Sequence, residues 1–474
     1  MSVIPMAEPV RADSPYRSYV YAYPHKSAYR PFTERPALAD LWREEDVSSL
    51  SLYAHIPFCE MRCGFCNLFT RSTPPAEQVT AYLNALERQA GTVASALPAG
   101  ASFARAALGG GTPTYLTAEE LVRVYDLIER SFGVDLTTIP VSVETSPATA
   151  TPDRLQVLDE RGATRISMGV QSFVDSEAHA AGRPQKRGEV DRALADIREH
   201  ARAGLNVDLI YGIERQTPKT WEYSLDTALS WEPEEIYLYP LYVRPLTGLG
   251  RRARAWDDHR LALYRQGRDH LRERGYEQVS MRMFRRADAP DSAGHGAAAG
   301  APDYCCQTDG MIGLGCGARS YTASTHYSFD YAVGVGRVRS IISDYVGRDA
   351  AEFAHAEVGF ALDGEERRRR HVLQSLLRVE GLAVADYTAR FAAHPVSDFP
   401  VEFAALAERG WLEPGDGIGK GIQDAQDVGG AGASASGSSG LLRLTEEGLA
   451  HSDAIGPDFF SARVNRLMAE YEAG

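Results

Sequence analysis

Three cysteines fall within eight residues of one segment, HIPFCEMRCGFC. Cys59, Cys63 and Cys66 have the spacing CxxxCxxC. Cysteine thiolates are the usual ligands of iron–sulfur clusters, which normally bind four of them. Three thiolates on one short loop can bind three irons of a four-iron cluster and leave the fourth iron open to another ligand. The segment therefore predicts a reactive [4Fe–4S] cluster.

A structural zinc site is the alternative interpretation of these cysteines. The fourth zinc ligand would then be His55 or one of the remaining cysteines, Cys305, Cys306 and Cys316. Structural zinc sites usually combine two closely spaced ligand pairs, and this sequence has no second pair with CxxC spacing. Cys316 lies in a glycine-rich segment, where a buried small side chain is the more typical role. The spacing therefore favours the cluster.

The composition limits the environment in which such a site works. With 474 residues, 44% of them hydrophobic and 24% charged, the chain is typical of globular proteins. Its net charge of -14 does not favour a nucleic-acid partner. It has no apolar run of about 18 residues and no signal-peptide pattern at its N-terminus. We therefore expect a cytoplasmic protein with reduced thiols, no membrane span and no bound nucleic acid.

Short β-rich runs alternate with amphipathic helices from about residue 50 to 285, which is typical of parallel βα units. The predicted strands are SLYAHIPF, ARAALGG, PVSVETS, RISMGVQS, NVDLIYG and EIYLYPLY. Helix starts are indicated by a capping box at Thr117 and by Thr151 and Thr217, each followed by proline. Six such units predict an α/β fold with a partial or complete barrel, whose active site lies just after the strand ends.

We predict four segments along the chain. Residues 1–48 form an arm rich in tyrosine and proline, residues 49–286 the βα barrel core, and residues 287–362 a barrel extension with a flexible loop and a Gly/Cys-rich segment. Residues 363–474 form a small, mainly helical, winged-helix-like domain, with a disordered insert at about 418–440. The basic run Arg367–Arg370 in this domain is flanked by glutamates, which indicates a solvated helix face and not a nucleic-acid site.

The order of motifs resembles a known family. CxxxCxxC after a first strand, with the aromatic Phe65 before the last cysteine, is the motif of radical S-adenosylmethionine (SAM) enzymes. The segments YAHIPFCEMRCGFC, ALGGGTPTYL, RISMGVQSF, VDLIYG and GLGCGARSY resemble, in this order, the oxygen-independent coproporphyrinogen III oxidase-like family. The resemblance covers about residues 14–460. It implies a partial (β/α)6-type radical SAM barrel and a coproporphyrinogen dehydrogenase-like oxidoreductase of porphyrin biosynthesis.

The resemblance also implies a chemistry for the cluster. The amino and carboxylate groups of SAM would chelate the open iron, and one electron from the cluster would cleave SAM to methionine and a 5'-deoxyadenosyl radical. That radical would abstract hydrogen from a porphyrin-like or other small-molecule substrate. The implied cofactors are the [4Fe–4S] cluster and one or two SAM molecules, with an electron donor such as flavodoxin or ferredoxin. No catalytic residue is implied beyond the cluster and cofactor sites.

The glycine run after the second strand favours close approach of backbone N–H groups to a ligand, since glycine has no Cβ. No lysine follows the run, which excludes a phosphate-binding P-loop. A bare tight turn is the alternative. By resemblance, Gly110 faces the methionine amino end of the cluster-bound SAM, and Gly111 and Thr112 face a second SAM.

Isolated polar residues at strand ends are more typical of loop anchors, caps or rim salt bridges. The resemblance assigns four of them to cofactor binding, namely Glu144, Gln171, Arg183 and Asp208. A carboxylate at Glu144 would meet the sulfonium, Asp208 suits ribose hydroxyls, and Arg183 suits a carboxylate. Tyr53 matches a family tyrosine beside the cluster, and an ordinary strand aromatic is its alternative role.

Three departures from the family leave the reaction open. Leu68 stands where the coproporphyrinogen oxidases have a cysteine, the loop 213–217 lacks the usual proline and glycine, and Tyr239–Pro240 replaces a small residue. Oxidase-like hydrogen abstraction is favoured. The alternatives are a class C-type radical SAM methyltransferase or cyclopropanase of a natural product, and a haem chaperone, a branch that lacks the same cysteine but also lacks the tyrosine-rich arm.

Overall fold

The computed structural model describes residues 14–20, 22–242, 257–289, 306–307, 310–414 and 440–471. Three sequence features therefore lie wholly or mostly outside the described residues. These are Cys305, the predicted flexible loop beyond residue 289, and the predicted disordered insert up to residue 439. No helix in the described ranges is long and apolar enough to cross a membrane.

The N-terminal arm is mostly irregular and contains β1 (Arg30–Pro31) and α1 (Leu38–Trp42). Two of its tyrosines cover the carboxyl end of the parallel strands described below. The rings of Tyr16 and Tyr211 lie 6.2 Å apart, and those of Tyr19 and Tyr239 lie 6.3 Å apart. The arm is therefore packed over the barrel.

Six parallel strands, separated by helices, form the centre of the fold and confirm the predicted βα alternation. With the short β3 and β4 included, the strands are β2 (Leu50–Ile56), β3 (Phe58–Cys59), β4 (Arg71–Ser72), β5 (Phe103–Gly110), β6 (Val141–Thr145), β7 (Arg165–Gln171), β8 (Gly204–Tyr211) and β9 (Glu235–Pro240). The parallel neighbours run β2, β5, β6, β7, β8, β9. Both faces of β2 are buried, which is why its sequence is a nearly continuous apolar run.

Helices follow the strands on the chain. They are α2 (Ala76–Ala96), α3 (Ala118–Phe132), α4 (Pro152–Glu160), α5 (Asp175–Ala180), α6 (Arg187–His200), α7 (Pro218–Leu229) and α8 (Asp257–Glu273). The predicted capping box is present at Thr117, and Thr217 caps α7 through its hydroxyl. Thr151 precedes α4 as predicted but makes no cap, because its hydroxyl donates to the Asp153 carboxylate instead.

Further strands extend the sheet at both edges and leave the barrel open. At one edge lie β10 (Tyr276–Gln278) and β11 (Met283–Arg286), and at the other lie β12 (Met311–Leu314), β13 (Arg319–Tyr321), β14 (Thr325–Ser328) and β15 (Val358–Ala361). β12 pairs parallel with β2, and β11 pairs antiparallel with β9. The sheet has 13 strands in the described ranges, with β1 and β10 at its ends. The fold is thus a partial barrel, as predicted.

The C-terminal region is mainly helical and has its own hydrophobic core. Together with α9 (Val335–Gly347), which precedes it, its elements are α10 (Gly364–Leu376), β16 (Leu382–Ala383), α11 (Val384–Phe391), α12 (Pro395–Asp398), α13 (Pro400–Glu408), β17 (Leu441–Leu442), α14 (Glu446–Ala450), α15 (Ser452–Asp458) and α16 (Ala462–Ala469). β16 and β17 form a two-stranded antiparallel ladder. Tyr23 and Tyr29 of the arm belong to the same buried cluster. The arm therefore joins the C-terminal core to the barrel.

The interpretation of Arg367–Arg370 as a solvated helix face is wrong for Arg370, whereas Arg367 is exposed. Arg370 is 3% exposed and donates to the ring of His326 and to the carbonyl of Ala323. Arg369 is paired with Glu365 and Glu402. The run packs α10 onto the sheet extension, because its cations find acceptors on other elements that helix periodicity alone does not reveal.

Candidate active site

The cysteine loop lies at the carboxyl end of β2 and is held by two other parts of the chain and by a hydrogen bond within the loop. Cys59 lies on β3, where the Thr112 hydroxyl donates to its sulfur at 3.6 Å. A guanidinium nitrogen of Arg183 donates to the Cys63 sulfur at 3.6 Å. The N–H of Cys66 donates to the Cys63 carbonyl at 3.1 Å. All three thiols are free and half-buried, so the predicted ligands come together on one accessible loop.

Two glycines allow this loop to pack closely. A Cβ at Gly111 would lie 2.5 Å from the Phe58 carbonyl oxygen and 2.9 Å from the Cys59 sulfur. Gly182 has φ +71°, and a Cβ there would lie 2.6 Å from the Cα of Gly64. Any larger side chain at either position would displace the loop. The sequence analysis missed Gly182, and its place directly before Arg183 was the available signal.

The donor set fits an iron–sulfur cluster. Burial raises the pKa of the Cys59 thiol to about 12, partly offset by the Thr112 hydrogen bond, and burial also raises the pKa of Cys63. Bound cations deprotonate coordinating thiols and so compensate this cost. In the part of the chain that the structure describes, no three His, Cys, Asp or Glu side chains surround a single metal ion. A [4Fe–4S] cluster does not require three side chains around a single ion, since each thiolate binds a different iron.

Among the described candidates for a fourth zinc ligand, His55 and Cys316 have other roles. His55 uses both ring nitrogens, since Nε2–H donates to the Phe69 carbonyl at 3.0 Å and Nδ1 accepts from the Tyr53 hydroxyl at 3.2 Å. Burial lowers the His55 pKa to about 4, so the ring is neutral. Cys316 is 1% exposed within the main hydrophobic core, in agreement with its predicted packing role.

A cavity of about 130 Å³ opens beside the cysteine loop. Tyr53, His55, Gly110 and Glu144 line its barrel side. The opposite side comes from the N-terminal arm, the cysteine loop, the sheet extension and the C-terminus, and includes Lys26, Tyr29, Leu68, Phe69, Arg319, Phe329, Tyr331 and Tyr471. The predicted site residues at the ends of β2, β5 and β6 therefore face one enclosed space.

Glu144 lies against the glycine run that follows β5. The N–H of Gly110 donates to its Oε2 at 2.9 Å, and a Cβ at Gly109 would lie 3.0 Å from its Cδ. Glu144 is exposed and lines the cavity. Desolvation by the surrounding protein raises the pKa of Glu144 to about 7; the Gly110 N–H lowers this pKa in part, and Asp208 raises it further. The residue thus titrates near neutral pH.

Gln171, Arg183 and Asp208 form a second group. The pairing of β7 with β8 is irregular between Gly169 and Gln171, which is a β-bulge, and Gln171 has φ +70°. A Cβ at Gly169 would lie 2.6 Å from the Gln171 amide nitrogen and 3.6 Å from Arg183 Nη1. Gly169 pairs with Asp208 across the strands. Bulges beside active sites re-aim side chains, and this one brings the three predicted residues together.

A buried polar network below this group was not predicted. Arg165 donates to the Glu235 carboxylate at 2.7 Å and to the Ser142 hydroxyl at 3.0 Å. Asn206 donates to Asp208 at 2.7 Å. Burial raises the pKa of Asp208 to about 6, with Arg165 opposing this shift. The available signal was the charged residue at the start of two otherwise apolar strands, β7 and β9.

Phe65 lies apart from the cavity lining. It packs against a small buried cluster that contains Ile210, Ile213 and Leu241, and Tyr239 lies against the same cluster. Two of the departures from the family, at residues 213–217 and at Tyr239, are therefore next to Phe65. These departures therefore change the residues that pack against Phe65 of the cysteine loop.

Known proteins resemble this chain in sequence and in fold. The family model of the radical SAM superfamily matches residues 53–228. The oxygen-independent coproporphyrinogen III oxidase of Cereibacter sphaeroides is 30% identical over 361 residues, which cover 73% of this chain and 77% of that protein. The heme chaperone HemW of Bacillus subtilis is 27% identical over 369 residues, 76% of this chain and 92% of that protein. The solved structure of coproporphyrinogen III oxidase from Escherichia coli matches with a TM-score of 0.75 at 22% identity, over 93% of this chain and 96% of that one.

Proposed function

This chain belongs to the oxygen-independent coproporphyrinogen III oxidase-like family of the radical SAM superfamily, and we propose that it abstracts hydrogen from a porphyrin-like substrate or another small molecule. The family uses a [4Fe–4S] cluster and SAM. One observation carries the proposal: three half-buried thiols lie on one loop, and Leu68 and Phe69, which directly follow that loop, line a cavity together with Gly110 and Glu144. Family membership alone does not fix the substrate.

Cys59, Cys63 and Cys66 would hold the cluster in our proposal. When bound, the cluster and SAM together supply a 5'-deoxyadenosyl radical for hydrogen abstraction. Glu144 and Gly110 would bind the cationic methionine end of SAM, because the carboxylate attracts the ammonium and sulfonium groups. Tyr53 orients His55 beneath them through the hydrogen bond between the two side chains.

Gln171, Arg183 and Asp208 would bind the remaining parts of SAM or a second SAM. Arg183 reaches the Cys63 sulfur, so its cation lies beside the proposed cluster and can also accept a carboxylate. Asp208 accepts a hydrogen bond from Asn206 and keeps further lone pairs for ribose hydroxyls. Gly111 and Thr112 pack against the loop that contains Phe65.

The cavity lining supports an anionic substrate with apolar faces. Lys26 and Arg319 supply positive charge, and Phe69, Phe329 and Tyr331 supply aromatic surface. Aromatic walls with a few polar groups are typical of small-molecule sites. A porphyrinogen with carboxylate side chains has this chemistry, and two of the compared relatives are named for coproporphyrinogen.

Leu68 faces this cavity and is 47% exposed. The coproporphyrinogen oxidases have a cysteine at this position, whose thiol can donate a hydrogen bond or a hydrogen atom. A leucine has no thiol and can do neither. We therefore propose that the chain retains radical formation and differs from those oxidases in how the substrate reacts afterwards.

The test is an anaerobic turnover assay with the reconstituted protein, SAM and dithionite, with and without coproporphyrinogen III. We expect 5'-deoxyadenosine from the wild type, and only background amounts from Cys63→Ala, which should also lose iron and sulfide. Cys306→Ala is the matched control, because this half-buried cysteine lies outside the motif. Full cleavage by Cys63→Ala would contradict the cluster assignment.

The products of the same assay separate the alternatives. S-adenosylhomocysteine in addition to 5'-deoxyadenosine would indicate a methyltransferase or cyclopropanase. Stoichiometric haem binding without SAM turnover would indicate a haem chaperone, the activity named for the Bacillus subtilis relative. Decarboxylated coproporphyrinogen would indicate the oxidase reaction.

A further inference from the structure

Three arginines near the cysteine loop form a basic surface that the proposed chemistry does not use. Arg62 lies one residue before Cys63, and Arg71 on β4 pairs with Phe58 on the strand that carries Cys59. Arg339 is exposed on α9, which contacts β4. The three residues are defined here as the Arg62/Arg71/Arg339 surface.

These arginines differ from most others in the molecule because they lack acidic partners. None of the three forms an ion pair with a carboxylate of the described residues. Arg62 donates to a backbone carbonyl, that of Val333, at 2.6 Å. Arg71 Nε is buried without a hydrogen-bond partner, and burial together with the nearby Arg339 lowers the Arg71 pKa. By contrast, neighbouring Arg337 is paired with Asp330 at 2.9 Å. Positive charges that repel one another are kept close here.

The surface is separate from the substrate cavity. The cations that line the cavity are Lys26 and Arg319, and none of the three arginines belongs to its lining. Two apolar side chains near the arginines in sequence are each 47% exposed. Leu68 lies three residues before Arg71 and also lines the cavity, and Val335 lies on α9. Val335 precedes Arg339 by four residues on α9, so both lie on one helix face. Cations around a small apolar patch are typical of a protein-docking surface.

We propose that the Arg62/Arg71/Arg339 surface docks an acidic one-electron carrier protein that reduces the cluster. This inference rests on the proposed function, which requires one electron for each SAM cleaved. One electron passes from the reduced carrier, which is oxidised, to the cluster, which is reduced, and no atom is transferred. The carrier must approach the cluster closely. Arg62 is next to Cys63 in sequence, Arg71 lies on the strand paired with that of Cys59, and Arg339 lies near Arg71.

Charge complementarity selects the acidic partner. The chain carries a net charge of -14, so an acidic carrier is repelled by most of its surface. A local cluster of unpaired cations then determines where the carrier binds and how fast it arrives. Transient redox complexes bury little area, below about 1,200 Å². A few arginines and two apolar side chains are sufficient for such a contact.

The test compares two reductants and measures binding directly. The holoprotein is mixed with fluorescently labelled flavodoxin, an acidic flavoprotein, and the dissociation constant is measured by anisotropy at about 20 mM and about 200 mM salt. The rate of 5'-deoxyadenosine formation is measured with reduced flavodoxin and, separately, with dithionite. The variants are Arg339→Glu and the double variant Arg71→Glu/Arg339→Glu. Arg192→Glu, an exposed arginine on α6, is the control.

We expect the double variant to bind flavodoxin about tenfold more weakly at low salt and to lose most of the flavodoxin-driven rate. Its dithionite-driven rate should match the wild type, and Arg192→Glu should match it in every measurement. Equal flavodoxin affinity of wild type and both variants would overturn the proposal. If the double variant also loses the dithionite-driven rate, its fold is disturbed, and the single variant Arg339→Glu tests the proposal instead. The Arg339 side chain is exposed, so this substitution should leave the fold intact. A wild-type protein that is inactive with dithionite would refute the proposed function. The flavodoxin affinities of the wild type and the variants would still show whether the docking surface exists.

Discussion

At the scale of single residues, Glu144 illustrates how desolvation and a glycine run together prepare a binding group. Its carboxylate faces the cavity, and the Gly110 N–H donates to it. Desolvation favours the neutral acid, whereas one hydrogen bond and a cationic ligand favour the carboxylate. The residue is therefore suited to a positively charged ligand, which is consistent with its proposed role toward SAM.

We predict that SAM binding strengthens as the pH rises through about 7, the raised pKa of Glu144. Below that pH the carboxyl is protonated and cannot attract the sulfonium and ammonium groups. The affinity should change by up to about tenfold per pH unit on the acidic side. The measurement is the SAM dissociation constant by equilibrium dialysis between about pH 5.5 and about pH 8.5.

Glu144→Gln should bind SAM weakly at every pH and lose this dependence, whereas Glu199→Gln, an exposed glutamate on α6, should retain it. Asp208, with its pKa raised to about 6, is the other titrating carboxylate of the site. An unchanged pH profile in Glu144→Gln would assign the titration to Asp208 and contradict the prediction.

At the scale of secondary-structure elements, the site depends on how closely the ends of neighbouring strands approach. Gly110 ends β5 with φ +115°, and a Cβ there would lie 2.6 Å from the His55 ring on β2. The bulge between β7 and β8 similarly turns Gln171 toward Arg183. The strand ends therefore position both groups of predicted cofactor residues.

We predict that Gly110→Ala destabilises the fold by about 1–3 kcal/mol or more, because it combines an unfavourable φ with a steric clash. It should also weaken SAM binding, since the Gly110 N–H would no longer reach Glu144. Gly100→Ala is the matched control, because Gly100 has φ +87° but open space around its Cβ. It should cost about 1–2 kcal/mol and leave SAM affinity unchanged. Urea denaturation and equilibrium dialysis measure the two effects, and equal losses of SAM affinity in both variants would argue against the steric explanation.

At the scale of the whole molecule, one buried ion pair connects the barrel, the arm and the C-terminal region. Arg282, which precedes β11, is paired with Asp453 on α15, and the two are 8% and 1% exposed at their side chains. The Ser18 N–H donates to the Asp453 carbonyl at 3.1 Å, and the Tyr242 hydroxyl donates to its carboxylate. Arg282 also lies 4.0 Å from the Tyr19 ring centroid. Three predicted segments therefore meet at one charge pair, although their exact boundaries remain a prediction.

We predict that Asp453→Ala destabilises the protein by about 3–5 kcal/mol, because it leaves the Arg282 cation buried and unpaired. The double variant Asp453→Leu/Arg282→Met should recover much of this loss, since it removes both charges. The exposed pair of Asp40 and Arg43 is the control, and Asp40→Ala should cost at most about 1 kcal/mol. Denaturant unfolding measures all three, and a loss in Asp453→Ala no larger than in Asp40→Ala would show that the pair does not hold the segments together.

The sequence alone determined the features that depend on neighbouring residues. The cysteine loop, the six strands and the caps at Thr117 and Thr217 follow from spacing and periodicity within a few residues. The site residues at the strand ends were assigned only through the resemblance to a known family, although parallel strands place their carboxyl ends at one edge. Burial of both strand faces made these runs easy to recognise.

Only the tertiary structure decided the contacts between distant segments. Arg183 reaches Cys63 across 120 positions, Arg370 is buried against His326, and Arg282 pairs with Asp453. No local pattern indicates which charges find partners, because each pairing depends on the approach of elements far apart in the chain. For the same reason the unpaired Arg62, Arg71 and Arg339 could not be distinguished from the many paired arginines until the fold placed them together.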